Sequence, residues 1–222
     1  MKKITLILGL LIAISGTMLA QADSLLLTNG FKFKDGIYLS FNDFQNNQPA
    51  FTWEQLEASL VTSARNMGAQ VEYIRQREGA PIPLSAVWGF SLKGIPYIQV
   101  PAVDKAYAKF AGFKIRGKIC FFIVEQEQSQ KVEIKAYNPL TRRPFRKGEV
   151  ENEVLVEQGF MLHFETGAIA DFNYEEVLQW IADDKELLES VTELTEEEVA
   201  QKLYKCIMIY DDRNGIKVPN RQ

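Results

Sequence analysis

The side chains that most often do chemistry are few in this sequence and far apart. There is one histidine, His163 in "GFMLHFETG", and two cysteines, Cys120 in "KICFFIV" and Cys206 in "LYKCIMIY". A nucleophilic triad would have to join His163 to an unmarked serine or to one of those cysteines, and no G-x-S-x-G elbow is present. A histidine half-exposed beside a turn is the simpler reading. Zinc needs three or four Cys, His or carboxylate ligands at close spacing, so no metal site is expected. The run "DDRNG" has oxygen donors but lacks the distal glutamate of a calcium loop, and reads as a helix stop. With no phosphate-cradling glycine loop and no dinucleotide fingerprint, no cofactor is expected either. Asp43, Glu54, Glu165 and Asp171 lie near strand ends or turns, where glycosidase acids often sit. Nothing in the sequence pairs two of them across a cleft, and solvated carboxylates are the simpler account.

Two stretches suit binding better than catalysis. The segment "TRRPFRKGE" gathers Arg142, Arg143, Arg146 and Lys147 around Pro144 and Phe145 in an otherwise acidic chain. Such a cluster can dock an anionic surface group or an acidic partner; the plainer alternative is a solvated loop between strands. The segment "AVWGFSLKGIPYIQV" crowds aromatic residues around Lys93-Gly94, where glycine can take the positive φ of a two-residue hairpin turn. Folded there, Leu92 faces Ile95, Phe90 faces Tyr97 and Trp88 faces Gln99, so that Trp88, Phe90, Leu92, Ile95 and Tyr97 share one face. Covering a core is the usual task of such a face; a ligand platform using Trp88 and Tyr97 is the alternative. Pro96 cannot donate to a ladder and points to an edge strand.

The elements that would position these residues begin after an export signal. Two lysines, an unbroken apolar run from Ile4 to Ile14 and the sequence Ala20-Gln21-Ala22 form a secretory signal peptide over residues 1–22, with cleavage after Ala22. The competing reading, a permanent anchor, needs ~20 apolar residues and a charged flank that the chain lacks, so no transmembrane anchor is expected after cleavage. Residues 23–222 then form a single mature domain. The net charge is −4, and two units lower once Lys2 and Lys3 are gone, which disfavours nucleic acid as a partner. In an oxidising compartment Cys120 and Cys206 either pair or pack as two buried thiols.

Hydrophobic alternation at period two runs through "DGIYLSFNDF", where Ile37, Leu39 and Phe41 share a side. A short helix is predicted over Trp53–Ala64, with Thr52 as N-cap and Gln55 as capping-box partner. "KICFFIVE" and "KVEIKAY" read as a hairpin joined by the polar "QEQSQ", the second strand setting Val132, Ile134 and Ala136 against Lys131, Glu133 and Lys135. The stretch "AVDKAYAKFAGFKIRG" is open between a short helix and an irregular strand. A third hairpin turns at Glu165-Thr166-Gly167. The period then changes to 3.6: Tyr174, Val177, Leu178 and Ile181 form one helix stripe after Asn173 as N-cap. Val199, Leu203, Cys206, Ile207 and Tyr210 form another, after the capping box Thr195 to Glu198. Strands first (31–172) and helices last (174–211) predict an α+β fold, a curved or barrel-like antiparallel sheet followed by a C-terminal pair of helices.

The motifs "KDGIYLSFNDFQNNQP", "VWGFSLKGIPYI" and "LHFETGAIADFNYEEVLQWIADDKELLESV", with the final helix, resemble a family of exported proteins of Gram-negative bacteria that has no assigned activity. The resemblance spans about Phe31 to Pro219 and implies that these pieces belong to one exported module; it transfers no catalytic or binding residue. The expected function is that of a non-enzymatic envelope or secreted interaction protein, in the periplasm, the envelope or outside the cell. Its candidate contacts are Trp88, Tyr97, Arg142, Arg143, Arg146 and Lys147. A small hydrolase of an envelope polymer, acting through paired carboxylates such as Asp43 and Glu165, is the alternative.

Overall fold

The structure, a computed structural model, describes residues 24–101, 106–137, 139, 140, 142 and 144–219. The expected signal peptide and Arg143 lie outside the described residues. The ends of the described chain meet: β1 (Ser24–Leu26) pairs antiparallel with β12 (Lys217–Pro219). Between them run β2 (Gly36–Tyr38), α1 (Phe41–Gln45), β3 (Leu56–Thr62), β4 (Gly68–Gln76), β5 (Pro81–Ile82), β6 (Gly89–Leu92) and β7 (Ile95–Val100). Then come β8 (Ala108–Ile115), β9 (Ile119–Tyr137), β10 (Pro144–His163), β11 (Ile169–Asp171), α2 (Tyr174–Trp180), α3 (Lys185–Thr192) and α4 (Glu196–Arg213). The main sheet has the order β11-β10-β9-β8-β7-β6-β2, all antiparallel, with β4 also on β8 and carrying β3 and β5. It curls into a half-barrel with the helices at the C-terminal end, the α+β architecture the periodicities predict.

Alternation along β9 divides the core. Cys120, Phe122 and Val124 face a cluster with Phe33, Tyr38, Phe44, Phe113 and Phe164, while Ile119 and Phe121 face the helices, packed with Met161, Val177, Leu203, Ile207 and Tyr210. A third cluster, with Ile37, Leu56, Val71, Phe90, Tyr97 and Phe110, fills the β2–β8 half. The stripe expected on α4 is the one that is buried, with Val199 only partly covered, and the caps at Asn173 and Thr195 are made, Glu176 N donating to Asn173 Oδ1 at 2.9 Å. The helical region also contains α3, capped by Asp184, between the two expected helices.

Four local expectations are corrected. The strand begun at Gly36 stops at Tyr38, because Ser40 and Asp43 form a reciprocal capping box (3.1 and 3.0 Å) that starts α1 instead of continuing the alternation. The helix predicted over Trp53–Ala64 is one 3-10 turn, Trp53–Gln55, after which Leu56, Ala58 and Leu60 pack at period two as β3; Gln55 Oε1 still accepts from Thr52 N at 2.9 Å. "QEQSQ" is not a turn, since β9 runs straight through it and pairs residue for residue with β10. Finally, Pro96 sits inside the sheet. It faces Ser91 at a position where a two-residue hairpin makes no β6–β7 hydrogen bond, and the ladder to β8 starts only at Tyr97. Of the undecided stretch "AVDKAYAKFAGFKIRG", Ala108–Ile115 is strand β8.

Cys120 and Cys206 are free and buried, and the sheet lies between them: Cys120 belongs to the cluster on one face of β9 and Cys206, on α4, to the cluster on the other. Burial pushes the Cys120 thiol up to about 12 and raises that of Cys206 as well. The native protein therefore reacts with a thiol reagent far more slowly than the urea-unfolded protein, which exposes two thiols per chain. Fewer than two in the unfolded, unreduced protein would mean that the pair is oxidised.

Candidate functional site

The Lys93-Gly94 hairpin forms in the expected register, with Leu92 opposite Ile95 and Phe90 opposite Tyr97. Lys93 and Gly94 have φ of 55° and 77°, the two left-handed residues of a type I′ turn. Asp35 locks it: its carboxylate accepts from Lys93 N (2.9 Å), Gly94 N (2.7 Å) and Ser91 Oγ (3.2 Å). The face is not the one expected. Regular strand begins only at Gly89, after a 3-10 turn over Leu84–Ala86, so Trp88 leaves the side of Phe90 and Tyr97 and Val87 takes its place there. Tyr97 is a core residue, 7% exposed and stacked on Phe90 at 4.7 Å, and offers no ligand surface. Trp88 is half-buried, stacked on Phe44 at 4.8 Å, and borders an open groove of about 830 Å³ with Leu84, Val100, Tyr107 and Ile169.

The basic cluster occupies a different kind of site. Beyond Val124 and Gln158 the strands β9 and β10 leave the sheet as a two-stranded arm about 44 Å long at ~3.4 Å per residue. Arg142 lies in the connection at its tip, exposed and with φ 54°; Arg146 sits in β10 at the register position of Ala136. Lys147 is exposed on β10 and its Nζ is 3.3 Å from Glu133 Oε1. The cluster expected as a loop is thus partly strand. Period two sorts the arm. Gln126, Gln128, Gln130, Val132, Ile134, Gly148, Val150, Asn152, Val154 and Val156 share one uncharged side, and the glutamates and lysines lie on the other.

The titratable groups are mostly engaged in holding the fold. Asp43 caps α1, Gln158 Nε2 donates to Asp171 Oδ1 at 3.0 Å, and Glu54 and Glu165 are exposed in turns. His163 sits edge-on to Trp180 at 5.6 Å; burial pushes its pKa down, and its Nδ1 is buried without a hydrogen-bond partner among the described residues. One cluster escaped the sequence reading. Asp211, in the "DDRNG" run that reads as a helix stop, accepts from Ile119 N at 2.9 Å, and its second oxygen is buried with no hydrogen-bond partner among the described residues. Its position four residues after Ile207, on the buried stripe of α4, was the available signal. Gly117 lies directly beneath it, where any Cβ would collide with the carboxylate. Nearby, Asp183 accepts from Tyr210 Oη at 2.7 Å and pairs with Lys118 at 2.9 Å. These bonds fasten the β8–β9 turn to α4.

The molecule is thus defined as an antiparallel half-barrel that presents a charged β-arm. Comparison with family models, with curated proteins and with solved structures gives no match. No helix among the described residues is long and apolar enough to cross a membrane.

Proposed function

We propose that this chain is an exported interaction protein of the cell envelope that engages an anionic component through the basic tip of its arm. The observation that carries this reading is the arm itself: a ribbon that buries little of its own surface and ends in Arg142, Arg146 and Lys147 on a chain of negative net charge. A core does not need it, since the half-barrel closes its three clusters without it. Local basic charge at the end of a long lever reaches an anionic surface that the acidic body would be repelled from. The signal-peptide pattern, and the resemblance of the quoted motifs to exported proteins of Gram-negative bacteria, support the compartment.

Lysine-reactive crosslinking in intact cells, followed by mass spectrometry and fractionation, tests this. The expected result is a reproducible link from Lys147 to one envelope component. It weakens about fivefold in Arg142→Glu/Arg146→Glu, at roughly 0.5 kcal/mol for each charge. Retention of the chain in the cytosol, or links unaffected by that double substitution, would overturn it.

A further inference from the structure

Both outer edges of the arm are open among the described residues. β8 pairs with β9 only at Phe122 and Phe121, and β11 pairs with β10 only over Phe160–Leu162, so the arm's outward N–H and C=O groups have no ladder partner. Long, regular edges of this kind are templates for another strand. The charge along the arm says which strand fits. Residues 125–130 and 152–157, at its root, carry four carboxylates (Glu125, Glu127, Glu153 and Glu157) and no cation; the described residues of the tip carry four cations (Lys135, Arg142, Arg146 and Lys147) and no carboxylate. A parallel copy would set like charge on like, whereas an antiparallel copy sets each basic tip beside an acidic root.

We infer that two copies of this chain associate through their arms, β9 pairing antiparallel with β9 of the second copy about a two-fold axis at Gln130. That register puts Glu125 opposite Lys135, Ser129 opposite Lys131, Gln128 opposite Val132 and Gln126 opposite Ile134. The one like-charged pair, Glu127 opposite Glu133, lies diagonal to Lys131 and Lys135. The β10 edge is a worse match, because a two-fold at Asn152 sets Glu151 against Glu153, and one at Val150 sets Glu149 against Glu151. Pairing over residues 125–135 adds about eleven backbone hydrogen bonds and joins the two uncharged sides into one four-stranded surface. The interface is isologous and closes after two copies, since each β9 edge is then used. Residues 136–147 lie beyond the paired stretch. The inference goes beyond the proposed envelope partner and does not depend on it.

The test uses the mature protein with single cysteines placed on the exposed arm, the native thiols being buried. Gln130→Cys crosslinks to a covalent dimer under mild oxidation, because the axis sets the residue against itself; Asn152→Cys, on the other edge, stays monomeric. In sedimentation equilibrium the unmodified chain is a dimer at about 100 µM. Glu125→Lys weakens it at least tenfold, and adding Lys135→Glu to that variant restores it. A monomer at that concentration, a Gln130→Cys protein that does not crosslink, or an Asn152→Cys protein that crosslinks equally well would each overturn the inference.

Discussion

At pH 8 the Asp211→Asn protein is more stable than the unaltered chain by on the order of 3 kcal/mol, and at pH 4 the difference is gone. Burial raises the Asp211 carboxyl from an ordinary 3.8 to about 7, against the hydrogen bond from Ile119 N that pulls it down; Asp212 raises it further and the Lys118 charge lowers it. In the unfolded chain the group ionises near its ordinary value, so between pH ~4 and ~7 the folded state holds a proton that the unfolded state has lost. Stability from this group is therefore fully present below about pH 4 and lost as pH rises through about 7. Asparagine keeps the acceptor for Ile119 N and never ionises, which removes the loss. Thermal unfolding of both proteins from pH 4 to 8 measures it. The slopes from Asp183 and Glu198, both held below the usual carboxylate range, are common to the two chains and cancel in the difference. Parallel profiles would mean that Asp211 is solvated and ionised at both ends of the range.

Phe44→Ala costs about 3–5 kcal/mol in urea unfolding, with an unchanged slope. The ring is the hub of the largest aromatic cluster, 4.6 Å from Phe33, 4.8 Å from Trp88, 5.6 Å from Tyr38 and Phe164, and 5.7 Å from Phe113. It is carried by the five-residue α1, too short to persist alone. Its other ties are the Ser40–Asp43 capping box and Gln45 Nε2, which donates to the carbonyls of Phe164 and Glu165, both at 2.9 Å. Removing the ring opens a cavity that rigid strands on several sides cannot collapse into, and it frees Trp88 of its stacked neighbour. A red shift in tryptophan emission in the folded state accompanies the loss. A cost below about 1 kcal/mol would mean that α1 is not needed to close the half-barrel.

The two halves of the β region show what a sequence can express. The Lys93-Gly94 turn was readable because a positive φ is a demand made by two adjacent residues, and only a few residue types meet it. The arm was not, because "QEQSQ" has the same composition as an exposed strand and as a loop, and only the matching length of β10, more than twenty residues away, makes it a strand. Trp88 left the face of Phe90 and Tyr97, and Val87 took its place, for a related reason: the alternation is regular only while the strand lasts, and the turn before Gly89 resets it. Asp211 reads as a solvated helix end until the β8–β9 turn is packed on it.

What the sequence determined by itself was therefore what neighbours within about five positions settle: the hairpin turns at Gly94 and Gly167, the caps of α2 and α4, the buried stripe of α4 and the change of period that makes the fold α+β. Tertiary structure alone decided which strand continues and beside which partner, which aromatic side chain is spent in the core, and which carboxyl loses its water. Those outcomes depend on backbone pairing and desolvation between residues far apart in the chain, and no local pattern carries that information.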